Sequence, residues 1–325
     1  MRRAIPTFLT LATLAAACGE QFSPLNEVTD LRVLAVRAEP PALVAGQTAA
    51  LDALVYEPDG GTVSYAWSWC PATLGSATGY ECAISEDDLK TAVDQVAPGA
   101  SAFVPSYDLG TAETASFSYA LPAGALSALC DAIAAQSLPA GVALPQCGED
   151  LTLTIRLVVE AGGKSVTAVK QLPLLLDAAA EANANPSIGD VYAAPASDGV
   201  DPLDAGTELS PDAATPLAES TKYDVSVDVP DDASELFTPA PTADQPNPTA
   251  DRETLFATWF VTGGSTDQVR TGFIDGDASM DGLERNTWKT PSLADSGGAA
   301  QLFLVLQDER GGVAWTARSI ALGQR

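Results

Sequence analysis

The clearest order in this chain is a period of two. Val63, Tyr65, Trp67 and Trp69 alternate with Thr62, Ser64, Ala66 and Ser68, which predicts a strand with one buried face. Leu151, Leu153, Ile155, Leu157 and Val159 alternate in the same way with Thr152, Thr154, Arg156, Val158 and Glu160. Gly162 and Gly163 then turn the chain into SVTAVKQL, predicting a hairpin. Upstream, LRVLAVRAEPP reads as a first strand stopped by Pro40 and Pro41, and TAALDALVY as a second.

The second half repeats this plan. An opening strand is predicted at residues 187–193, and Tyr223, Val225, Val227 and Val229 alternate with Asp224, Ser226 and Asp228. LFATWFVTGG places Trp259 much as Trp67 is placed. The closing segments superpose as LVVEAGGKSVTA and LVLQDERGGVAWTA, each a hydrophobic strand, an acidic turn, a Gly pair and a second strand. Internal similarity at this period predicts two copies of one module. Short alternating strands with a central Trp and a closing hairpin predict an all-β chain of two tandem Ig-like or PKD-like antiparallel β-sandwiches. The expected boundaries are 31–176 for the first, a low-complexity linker at 177–186, and 187–325 for the second, which is expected to fold alone. Residues 230–253 form a Pro-rich loop within the second copy.

An insertion at 70–150 interrupts the first module. It has helical pieces, one capped by Ser85 ahead of DDLKTAVDQV and one opened by Pro122 and running through Leu126, Leu129, Cys130 and Ile133. It also carries Cys70, Cys82, Cys130 and Cys147, an even set that predicts two disulfides in an exported chain. Local pairing, Cys70 with Cys82 and Cys130 with Cys147, is preferred; nested pairing, Cys70 with Cys147 and Cys82 with Cys130, is the rival. Zinc is disfavoured by spacings without CxxC and by the absence of His.

Export is predicted from the N-terminus. Arg2 and Arg3 precede an uncharged Ala/Leu-rich stretch, residues 4–17, that ends at Cys18. As a helix this stretch would span about 20 Å, less than the ~30 Å of a hydrocarbon core, so it predicts a signal segment and not a membrane span. Leu14-Ala15-Ala16-Ala17-Cys18 resembles the lipobox of bacterial lipoproteins, with Leu14 one position further from the cysteine than is usual. The resemblance implies a signal peptide at 1–17, a lipidated Cys18, and a tether at 18–30. Gly19, which is not Asp, implies sorting to the outer membrane by the enterobacterial rule.

Composition narrows the function. The chain of 325 residues has a net charge of −27, and removing Arg2 and Arg3 makes it more negative still. Such a field repels nucleic acid and anionic headgroups, so nucleic acid is not an expected partner. With no His, the Ser-His-Asp and Cys-His nucleophiles are excluded along with the usual proton shuttle. A glycosidase-like carboxylate pair would remain possible chemistry, but the acids fall mostly in turns and linkers, and no enzyme is expected. Gly163-Lys164-Ser165 mimics the end of a phosphate loop but lacks its first Gly, Val158 standing there, and it leads into a strand.

Two features are candidate ligand sites. Asp275, Asp277, Ser279 and Asp281 place oxygens on alternate residues, as calcium loops do, although Trp288 stands where an EF-hand would have its final acid. The competing reading is a solvated Asp/Gly turn. Of the five tryptophans, Trp67, Trp69 and Trp259 fall in phase with aliphatics and are expected in cores. Trp288, between Thr287 and Lys289, is the one expected as an exposed ligand platform.

As a whole, RVLAVRAEPP, YAWSWC and DERGGVAW resemble segments of predicted myxobacterial-type envelope lipoproteins with tandem Ig-like domains. That resemblance implies a cell-envelope protein and brings no catalytic residues with it. The expected function is a lipid-anchored binding, spacer or scaffold module, its partner an unidentified envelope protein or glycan. The alternative is a carbohydrate-binding or polysaccharide-processing accessory protein, with calcium as its cofactor.

Overall fold

A computed structural model describes residues 25–118, 120, 129–131, 133, 135, 150–175, 183–238, 249–272 and 281–324. In the first sandwich, β1 (Arg32–Glu39), β2 (Thr48–Tyr56), β3 (Ser64–Cys70), β4 (Asp108–Gly110), β5 (Ala115–Ser118), β6 (Asp150–Ala161) and β7 (Lys164–Leu175) form two sheets. Their orders are β1-β2-β5 and β4-β3-β6-β7. The alternation is spent as the sequence predicts: Tyr65, Trp67 and Trp69 lie opposite Val159, Leu157 and Ile155. Both indoles are buried and neither is left unsatisfied. Trp67 Nε1 donates to the Ala112 carbonyl at 3.1 Å and Trp69 Nε1 to Ser106 at 2.7 Å.

The insertion is part of the fold and not an appendage. It supplies β4 to one sheet and β5 to the other. Its helix α1 (Glu86–Val96) starts where Ser85 accepts from the Asp88 N–H at 3.1 Å. Leu89, Ala92 and Val93 of α1 enter the same core as Trp69, as do Leu129, Cys130 and Ile133. Its apolar residues are covered by the sandwich, so packing as well as disulfide bonding holds it.

The second sandwich uses β8 (Val191–Pro195), β9 (Thr207–Glu208), β10 (Thr215–Ala218), β11 (Lys222–Val227), the pair β12 (Leu236–Phe237) and β13 (Asp251–Arg252), β14 (Leu255–Val261), β15 (Ser265–Thr266), β16 (Arg270–Gly272), β17 (Arg285–Lys289), β18 (Ala299–Asp308) and β19 (Val313–Gly323). Its sheets have the orders β10-β19-β18-β14-β16 and β15-β17-β11-β8-β9. Leu255, Ala257, Trp259 and Val261 alternate onto the inner face and meet Leu302, Leu304 and Leu306 of β18. The molecule is thus all-β, two Ig-like sandwiches in tandem, each closed by an antiparallel hairpin, β6-β7 in one and β18-β19 in the other.

Candidate functional site

The expected site residues are not gathered in one place. Cys18, Cys147, Asp275, Asp277 and Ser279 lie outside the described residues. Asp281 opens a short helix, Asp281–Glu284, and no group of three or more His, Cys, Asp or Glu among the described residues is arranged to hold a metal. Cys70 is bonded to Cys82, which excludes the nested pairing, and Cys130 is also disulfide-bonded. Among the described residues no helix is long and apolar enough to cross a membrane.

Trp288 is a correction. It is fully buried, at 0% exposure, and is not a ligand platform. In β17 the period of two puts Asn286 and Trp288 on the covered side and Arg285, Thr287 and Lys289 outside. Its ring belongs to the same core as Tyr223 and Trp259, and its Nε1 donates to the Gly263 carbonyl at 3.1 Å. Polar sequence neighbours concealed a core position.

Where the residues do converge is the junction between the sandwiches. The outer face of β14, β18 and β19 is apolar: Phe260, Phe303, Val305 and Val313 are buried there with Val28 and with Ala35 of β1. Tyr56 meets Phe303 edge-on with ring centroids 5.8 Å apart. The Arg37 guanidinium, paired to Asp52 at 2.6 Å, sits 4.4 Å from the Trp315 ring centroid.

A polar belt borders this apolar contact. Residues 308–312 form the turn of the β18-β19 hairpin, where Asp308 accepts from the Gly312 N–H at 2.7 Å and from Asn183 Nδ2 at 3.2 Å. Asn185 spans the two sandwiches: its Nδ2 donates to the Ala38 carbonyl at 2.8 Å, and its Oδ1 accepts from the Val313 N–H at 2.8 Å. Gly312 fits because a Cβ there would lie 2.8 Å from the Ala184 carbonyl. Arg310 pairs with buried Glu253 at 3.0 Å; burial raises the Glu253 pKa and the arginine opposes that shift.

Lys170 is a further cation that the first sandwich brings to this junction. On edge strand β7 it shares the inner face with Leu172 and Leu174, and its Nζ reaches across to donate to the Gly311 carbonyl. Burial pushes its pKa down to about 8, while nearby Asp308 pulls the other way. A groove of about 430 Å³ runs beside it, between Val33 and Val169 on one side and Phe256 and Gln307 on the other.

A second groove of about 470 Å³ lies on the second sandwich and is lined by Asp201, Asp224, Asp267, Arg285 and Thr287. Its charges are engaged with one another: Asp201 with Arg285, Asp267 with Lys222 at 3.6 Å, and Asp224 with the Thr287 hydroxyl at 2.9 Å.

The junction was missed in the sequence, although a signal was present. The run from Leu302 to Leu306 is continuously apolar, which marks a strand covered on both faces. One face belongs to the sandwich core, and the other requires a second body.

No protein-family model matches the chain, and no curated protein does. Among solved structures it is similar to the fibronectin(III)-like modules of Clostridium thermocellum CbhA, at 9% identity over 90% of this chain and 94% of that one, with a TM-score of 0.23. A chimeric titin Z1Z2-Z1Z2 tandem matches at 11% identity over 90% and 99%, TM-score 0.25. The Yersinia pseudotuberculosis adhesin InvE matches at 12% over 90% and 60%, TM-score 0.18. Scores of this size carry no argument about function, and the sandwich architecture stands on the strand pairing itself.

Proposed function

We propose that the protein is a non-enzymatic, lipid-anchored cell-envelope module in which two sandwiches are fused into one spacer or scaffold body. The observation that supports this most is the apolar junction of Phe260, Phe303, Val305 and Val313 against Val28 and Ala35, which suits a body of fixed length better than a flexible string of domains. The likeness of RVLAVRAEPP, YAWSWC and DERGGVAW to envelope lipoproteins agrees with it. In this reading Cys18 carries the lipid, the outer membrane is the address, and the partner is an envelope protein or glycan.

Two measurements test the two halves of the reading. An alkyne fatty acid fed to cells should label the wild type and not Cys18→Ala; equal labelling of both removes the anchor. Small-angle scattering of the mature chain should fit one rigid two-lobed body, and a profile that requires a range of interlobe distances removes the spacer role. The carbohydrate-binding alternative has lost its exposed Trp288, and a glycan array with and without calcium is its direct test.

A further inference from the structure

The residues that follow the expected lipidation site do not hang free. Residues 26–28 lie alongside the end of β14, with Glu27 in a parallel bridge to Val261. The Val28 N–H donates to the Val261 carbonyl at 2.8 Å, and the Val261 N–H donates to the Asn26 carbonyl at 2.9 Å. The strand β16 pairs with this edge of β14 along Phe256, Ala257 and Thr258, and the Val269 carbonyl takes the Trp259 N–H at 3.0 Å, so the segment occupies the stretch beyond them. Its side chains are committed as well. Asn26 and Val28 are 2% and 1% exposed, and Asn26 Nδ2 donates to Thr266 Oγ1. Arg32 donates to the Leu25 carbonyl at 2.6 Å while its guanidinium lies 5.2 Å from the Phe260 ring centroid. Leu25 itself, the outer end of this segment, is 77% exposed.

That point lies between the sandwiches, at one shared end. On the first sandwich, Lys164 in the β6-β7 turn pairs with Asp30 at 2.6 Å. On the second, Thr266 follows the turn at Gly263 and Gly264. The far ends are a strand length away: Thr48 lies opposite Ser118 at the other end of β2, and Leu255, at the other end of β14, lies opposite Asp308. Cys18 is seven residue steps from Leu25, a reach of at most about 25 Å when fully extended at ~3.3–3.6 Å per residue.

We propose that residues 26–28 clamp the anchor segment into the edge of the second sandwich, so that the lipid holds the molecule at the junction. The partner surface is then a bilayer, facing the turns at residues 161–164 and 263–266 of the two sandwiches. The clamp stands on the hydrogen bonds above, whereas its orientation toward a bilayer rests on the lipoprotein reading of Cys18.

The test keeps the two apart. In the full mature chain carrying Cys18→Ser, the amides of Val28 and Val261 should exchange as slowly as those at the centre of β18, and Val28→Asp should accelerate both by at least tenfold. Fast exchange of both in the unsubstituted segment overturns the clamp whatever the lipid does. In the acylated chain on phosphatidylcholine vesicles containing an energy-transfer acceptor, donors at Ser165→Cys and Ser265→Cys should transfer at least twice as efficiently as donors at Ser118→Cys and Glu309→Cys. All four positions are exposed. Equal transfer from all four overturns the orientation. Absence of acylation at Cys18 overturns the lipoprotein reading and the bilayer orientation with it, and leaves the exchange result to decide the clamp.

Discussion

The two closing hairpins are alike in sequence plan and opposite in circumstance. The β6-β7 hairpin ends in Gly162 and Gly163, both at positive φ and both exposed, a two-residue turn that needs nothing from the rest of the molecule. The β18-β19 hairpin ends in the longer turn at residues 308–312, where Asp308 and Gly312 are buried, and it meets the first sandwich through Lys170 and Asn185. Repetition of a module therefore does not imply repetition of its surface. The extra acidic residue, the arginine and the second-face apolar residues of the later copy are what a domain contact requires, and the earlier copy lacks them.

The sharpest way to break this comparison is to separate the copies. A fragment of residues 187–325 would expose Phe260, Phe303, Val305 and Val313 and would lose the bridged segment at residues 26–28. At about 1.5–3 kcal/mol for each buried side chain, the loss is on the order of 6–12 kcal/mol, comparable with the whole stability of an ordinary domain. The expected outcome, against the reading of an autonomous second half, is a fragment that unfolds or self-associates, seen by thermal circular dichroism and sedimentation. A monomeric fragment melting within a few degrees of the full chain would mean that the junction contributes little.

Next in size are the core tryptophans. Trp288→Ala and Trp259→Ala should each cost about 3–5 kcal/mol in urea unfolding of the full chain, because both rings are fully buried in one core. A Trp288 variant losing less than about 1 kcal/mol would restore its candidacy as a surface platform.

These residues also show what was legible in the sequence. Trp67, Trp69 and Trp259 lie in strands long enough for alternation to be read against aliphatic partners, and their burial follows. Trp288 sits in a five-residue strand whose other covered residue is Asn286, held there by bonding Gln268 through both its carbonyl and its amide. A short strand with a polar inner position gives period two no hydrophobic signal. Helix α1 was legible from its Ser85 cap, but the sharing of its apolar face with the sandwich was not, since the sequence shows that a face is apolar and not what covers it. The same holds for residues 26–28: a polar segment next to a signal reads as a tether, and only the open end of β14 holds it in a β-bridge.

Lys170 gives a pH test of the junction. Its folded pKa of about 8 is below its ordinary value, so below pH 8 the folded state carries a charge that burial disfavours. From about pH 8 to pH 10.5 the folded state has shed this proton and the unfolded state has not, so stability rises with pH through that window. The full effect is about 3 kcal/mol by linkage. The observable is the difference between wild type and Lys170→Met across that window, which cancels the other titrating groups. The variant should gain on the wild type at pH 7 and lose that advantage by pH 10.5; parallel pH profiles would show that Lys170 is solvated and the junction open.

The smallest effect returns to the hairpins. Gly162 has φ +57° with nothing within 4 Å of a Cβ built there, so Gly162→Ala pays only the left-handed backbone cost, about 1 kcal/mol. Gly312 has the opposite problem: its φ is not left-handed, but its Cβ would meet the Asp308 carboxylate and, at 2.8 Å, the Ala184 carbonyl. Backbone at that distance cannot rotate away, so Gly312→Ala has to push the linker off the turn, and it should cost roughly 2 kcal/mol or more, in the range of overpacked sites. Its damage should also be selective. Scattering should show the lobes loosened in Gly312→Ala and unchanged in Gly162→Ala, and equal losses with unchanged lobes in both would mean that the second turn is as free as the first.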